Sequence, residues 1–224
     1  REETALDTAR LLDHLGIDRV AVMSQGADLR FAMELANANP GLVTGILGLA
    51  GTLPVQTAAQ YERMEKWHRF ILANARYAPR VLPFLVKAGF SLARRIGKEQ
   101  FFKSVNGGSP GDMKTFADPE VREAILLGSE VSLSNSHIAH AAFARECLDS
   151  EVNWAHVVHA CEVPVTLLCG MQDPQSPRQT ILELMDVFPH LNVIFVEDAG
   201  QLVFFQEQQK AFDLLEPLLP RSQR

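Results

Sequence analysis

Three groups of residues have types and spacings that could do chemistry. The first is the run Val22-Met23-Ser24-Gln25-Gly26, which joins a short apolar stretch to a helical one. A serine on a sharp strand-to-helix turn has its oxygen lifted clear of the backbone. Small neighbours let strand and helix approach, and the helix N-terminus favours developing negative charge. Gly26 and Ala27 are small, but β-branched Val22 stands where such an elbow carries glycine, so the turn must open or its neighbours must make room. Alone, the run also reads as a serine capping an ordinary turn. The second group is two histidine pairs, His137/His140 and His156/His159, each spaced to share a helix face. Neither pair has a third ligand at a suitable spacing, so no metal is expected. The third is Arg94, Arg95, Lys98 and Lys103 interleaved with Phe101 and Phe102. Such a cluster fits a nucleic-acid surface, and equally a solvated helix face whose arginine stems cover apolar neighbours.

The elements that must position these residues follow from periodicity. Residues 4–15 form an apolar helical face that stops at Gly16, and Val20–Met23 reads as a buried strand. Gly26 and Ala27 open a helix that ends near Pro40, and Val43–Ala50 forms a second buried strand. After Pro54 the strand pattern gives way to helical stretches at about 56–75, 80–97, 118–133 and 135–148, with a glycine-rich loop at Asn106–Gly111. Strands return at 163–169 and 191–196, with helices at 178–187 and 206–219. The domains expected are a core of residues 1–55 and 151–224 and an inserted helical cap of residues 56–150.

Further along, Val163-Pro164-Val165-Thr166-Leu167-Leu168-Cys169-Gly170-Met171-Gln172-Asp173-Pro174 resembles the penultimate strand and acid loop of α/β-hydrolases. The serine run, the stretch through Asn39-Pro40 to Leu49, the cap position and the closing Asp198-Ala199-Gly200 agree with that family in order and spacing. The resemblance covers nearly the whole chain outside the cap. It implies an α/β fold, the C-terminal half of an α/β-hydrolase: a parallel sheet flanked by helices, with an all-helical cap inserted. It further implies Ser24 as nucleophile, Asp173 as acid and the Gln25 amide as an oxyanion donor. One position departs from the pattern. Directly after Ala199-Gly200, where the family has its catalytic histidine, the chain has Gln201, and a primary amide cannot shuttle protons near neutral pH. Loss of the base costs on the order of 10⁴ to 10⁶ in turnover. By the same resemblance, four strands and one oxyanion donor belong upstream of Arg1 and are required to complete the sheet. Glutamine in this place is also similar to the hydrolase-fold part of LuxR-type bacterial regulators.

Composition bounds the reading. The chain has 224 residues, is 47% hydrophobic and 21% charged, and carries net charge −6, the balance of a globular protein that repels nucleic-acid phosphates. Cys147, Cys161 and Cys169 form no CxxC pair and read as reduced packing thiols, so a cytoplasmic location is expected. No apolar run reaches membrane-spanning length, and no membrane partner, direct nucleic-acid contact or cofactor is expected. Two functions remain open. One is a catalytically degenerate domain binding a small, partly apolar ligand between core and cap through Ser24, Gln25, Gln201 and Trp67, as the sensory part of a larger protein. The other is an active serine hydrolase for an ester-like substrate, its base drawn from His68, His137, His140, His156 or His159. A pure interaction module is a third class without a motif.

Overall fold

The computed structural model describes residues 2–106, 108–134, 136–150 and 153–220. In chain order the elements are α1 (Glu2–His14), β1 (Val20–Gln25), α2 (Asp28–Ala38) and β2 (Val43–Leu49). Next come α3 (Ala58–Arg63), α4 (Lys66–Tyr77), α5 (Leu82–Ile96), α6 (Lys98–Asn106), α7 (Pro110–Phe116), α8 (Pro119–Ser134) and α9 (Ser136–Ser150). The chain then continues through α10 (Ala155–His159), β3 (Val165–Gly170), α11 (Arg178–Val187), β4 (Asn192–Val196), α12 (Val203–Gln206) and α13 (Gln208–Leu215). It divides into two compact units, Arg1–Val55 with Trp154–Arg224, and Gln56–Asn153. Glu151 and Val152, where the cap was expected to end, lie outside the described residues, as does Gly107 of the glycine-rich loop.

In the first unit the strands are all parallel in the order β1-β2-β3-β4, with Ser24 opposite Gly48, Leu49 opposite Leu168 and Gly170 opposite Val196. Parallel strands need apolar cover on both faces, and the near-continuous Val/Ile/Leu content of β2 and β3 supplies it. One face packs Leu29 and Met33 of α2, Val158 of α10, Ile181 and Leu184 of α11, and Phe188 just after it against Ile46 and Leu167. The other packs Val203 of α12 and Ala211 of α13 against Leu47, Leu49 and Leu168. Each leucine or phenylalanine fully buried here contributes about 1.5–3 kcal/mol. Leu29 comes close to the sheet because β2 is small beneath it. A Cβ at Gly48 would stand 2.7 Å from Leu167 Cδ2 and 3.1 Å from Leu29 Cδ1.

The second unit is all helical. Ile71 and Ala75 of α4, Leu82 and Val86 of α5, and Ala144 and Cys147 of α9 form its core, while Phe102 of α6 stacks on Phe116 of α7 at 4.2 Å. The helix expected over 56–75 is two helices. Met64 turns extended, and the Glu65 carboxylate accepts the His68 N–H at 2.9 Å, so a new N-cap restarts the helix at Lys66. Similarly, the final helix breaks at Glu207, ends at Leu215 and closes in a 3₁₀ turn at Glu216–Leu218, because Pro217 has no N–H to continue it. Helices α6, α7 and α10 were not anticipated. They are one to three turns long, too short for periodicity to separate from loop, and α7 rests on the Ser109 cap and Pro110.

Candidate functional site

Because the strands are parallel, the loops that follow β1, β2, β3 and β4 all leave the same edge of the sheet, where α/β proteins bind their ligands. After β3 the chain turns tightly. The Met171 N–H donates to Val196 O and the Gln172 N–H to Ala199 O, both at 2.8 Å, which docks the 171–173 turn against the 199–201 loop. Asp173 is 4% exposed. Its Oδ1 accepts the Gln175 N–H at 2.8 Å, and its Oδ2 accepts Gln201 Nε2 at 2.7 Å. The amide must present nitrogen to the carboxylate, since its oxygen would be repelled. Gln201 thus occupies the orienting bond that a triad histidine makes with its acid, without a nitrogen able to take up a proton.

Gln25 reaches the same place from β1: its side-chain Nε2 donates to Gln201 O at 3.3 Å. Asp173, Gln201 and Gln25 are therefore brought together. Beneath the acid, burial pushes the Cys169 thiol up to about 12, with the Asp173 carboxylate adding to the effect, so Cys169 is no thiolate nucleophile.

Ser24 does not stand at the turn. It lies inside β1, opposite Gly48, on the strand face it shares with Val22. It is 8% exposed, and its Oγ has no hydrogen-bond partner. The left-handed residue that makes the sharp turn is Gly26, at φ +56. Gly26 donates its N–H to Leu49 O and accepts the Thr52 N–H, both at 3.0 Å, and α2 begins two residues later. The physical reason is Val22. A β-branched residue favours extended backbone, so the strand runs on through Gln25 and bends only where glycine tolerates it. The amide that follows the apex is accordingly that of Ala27, whereas Gln25, the expected oxyanion donor, is part of the strand ladder. A Cβ at Gly26 would meet nothing within 4 Å, so the apex opens into free space.

Trp67 belongs to the helical unit, where it is half exposed and stacks on Phe70 at 5.6 Å. Among the histidines, His159 packs its ring on Phe188 at 4.9 Å, just before β4 begins. That places it at the amino-terminal edge of the sheet, opposite Asp173, with His156 on the same short helix. The His137 side chain lies outside the described residues. Among the described residues no group of three or more His, Cys, Asp or Glu side chains could hold a metal ion. His68 is partly buried on α4, and burial lowers its pKa below 6.5, with Glu65 partly opposing. Below that pH the unfolded chain binds a proton that the folded chain resists, so stability falls as pH falls. A urea midpoint followed from neutral to mildly acidic pH is expected to drop further in the natural chain than in His68→Gln.

Half of the basic cluster is balanced: Lys98 pairs with Glu130 at 2.5 Å and Lys103 with Glu99 at 2.8 Å, a carboxylate that Arg122 shares. No described helix is long and apolar enough to cross a membrane.

No family model and no curated protein matches this chain. Solved structures do. MGS-M2, an α/β-hydrolase enzyme from a Medee basin deep-sea metagenome library, superimposes with a TM-score of 0.65 at 13% identity, over 96% of this chain and 70% of its own. The fold is that of the α/β-hydrolases. Serine hydrolase CCSP0084 from Cycloclasticus zankles matches at TM-score 0.63 and 14% identity, covering 96% of this chain and 68% of that one. Est816, an N-acyl homoserine lactone degrading enzyme, matches at 0.59 and 17%, covering 96% and 73%. Within this α/β-hydrolase fold the carboxyl edge carries an acid and an amide where an acid and an imidazole would make a triad, and a glycine at the apex of the turn.

Proposed function

We propose that this α/β-hydrolase-fold domain binds a small, partly apolar molecule at the carboxyl edge of its sheet and does not turn it over. The carrying observation is the left-handed turn at Gly26, which leaves no nucleophilic side chain at its apex while Ser24 lies buried in the strand. Gln201, fixed on Asp173 and touched by Gln25, then serves as a polar contact for the ligand rather than as a base. The role in this reading is sensory, within a larger regulatory protein.

A second reading has one observation in its favour. The Ser24 hydroxyl is unpartnered, and the similar structures include hydrolases, so an active enzyme for ester-like substrates remains its competitor. One assay separates the two. Because Est816 degrades N-acyl homoserine lactones, such lactones and p-nitrophenyl acyl esters are suitable probes. They are expected to raise the melting temperature of the chain without release of nitrophenolate. Release that disappears in Ser24→Ala would overturn the noncatalytic reading.

A further inference from the structure

We infer that the α4–α5 region of the helical unit docks on an anionic lipid surface. In a chain of net charge −6, no acidic residue occurs between Glu65 and Glu99, while lysine and arginine recur from Lys66 to Lys98. Most of the cations in α5 and just before it are unopposed. Arg80, Lys87, Arg94 and Arg95 have no carboxylate partner among the described residues, unlike Lys98 and Lys103 with their glutamates.

Helix α5 is apolar on two opposite sides. Leu82, Val86 and Ala93 face the core with α4 and α9. At 3.6 residues per turn, Phe84, Lys87, Ala88, Leu92 and Arg95 fall together on the other side. There Phe84 is 74% exposed and Leu92 58%, and Tyr77, at the end of α4, is 78% exposed. Apolar side chains that the core does not use, spaced along one face and bracketed by unpaired cations, are the pattern of a helix that lies in a membrane interface. The cations draw the face to anionic headgroups, each contributing about 1 kcal/mol near the surface, and the apolar side chains enter the acyl boundary. Aliphatic Leu92, Val81 and Ile96 among the exposed residues favour lipid over nucleic acid, which rewards stacking rings. The expectation of no membrane partner rested on the lack of a spanning segment, and surface docking needs none.

Co-sedimentation with vesicles of phosphatidylcholine and phosphatidylserine, two to one, tests this against vesicles of phosphatidylcholine alone. The chain is expected to bind the mixed vesicles, to ignore the neutral ones and to be released by salt. Lys87→Glu with Arg95→Glu should weaken binding about a hundredfold. Phe84→Ser with Leu92→Ser should weaken it about tenfold, with circular dichroism confirming that both variants remain helical. Absence of binding, equal binding to both vesicles, or full binding by the charge-reversed variant overturns the proposal. So does a basic face occupied instead by a single-stranded oligonucleotide or by a second copy of the chain when phosphatidylserine vesicles are offered in competition.

Discussion

A chain carrying both Gly26→Ser and Gln201→His is expected to gain a serine that reacts with a fluorophosphonate probe, at position 26 and nowhere else, while the natural chain stays unlabelled. The turn already holds residue 26 at φ +56, and a new Cβ there meets nothing within 4 Å. The hydroxyl would stand in open space beside Gln25, whose side chain touches residue 201. A histidine at 201 can take the bond that Gln201 now makes to Asp173 Oδ2, leaving its second nitrogen for the serine. Nucleophile and base act as a unit worth on the order of 10⁶ in rate, so each single variant should label slowly or not at all. The cost is strain, since a non-glycine residue in the left-handed region loses about 1–2 kcal/mol. The double variant should therefore melt a few degrees lower. Intact-mass labelling followed by peptide mapping reads the site. Labelling of Gln201→His alone at Ser24 would show that the strand opens to release that serine, and would restore the enzyme reading.

Gly170→Ala is expected to be strongly damaging to the site. A Cβ at Gly170 would lie 2.3 Å from Ala199 O, 2.4 Å from Ala199 C and 2.6 Å from Gly200 N, all backbone atoms that cannot swing aside. The 199–200 peptide must move, and with it the Gln172 N–H bond to Ala199 O and the seat of Gln201 on Asp173. Overpacking plus a lost buried hydrogen bond amounts to about 3 kcal/mol. The urea midpoint should fall accordingly, and ligand binding at the carboxyl edge should weaken beyond what stability alone explains. Gly89→Ala is the control. Its nearest neighbour would be Trp67 Cζ2 at an ordinary 3.9 Å, and alanine in a helix interior gains about 0.5–1 kcal/mol over glycine. A Gly170→Ala chain as stable as the natural one would mean that the two loops are not packed as described.

The parallel strands, their order in the chain and the helical insertion were legible because each is written locally, as short apolar runs of period two or none and helices of period 3.6. So was Gln201, since the chemistry of an amide does not depend on where it sits. Helix α11 begins and ends where its periodicity does, at Arg178 and Val187. What local pattern could not give was the place of the turn. Ser24 and Gly26 lie two residues apart in a run that fits the serine elbow except at Val22, and only the pairing of Ser24 with Gly48 and Gln25 with Leu49 carries the strand on to Gly26. The partnership of Gln25 with Gln201 was equally hidden, because it spans 176 positions and depends on the sheet bringing β1 and the loop after β4 to one edge. The sequence by itself determined which chemical groups are available, including an amide rather than an imidazole directly after Ala199-Gly200. The tertiary structure decided which residue stands at the apex, because the conformation of a strand end is set by its hydrogen-bonded neighbour, here β2 through Leu49.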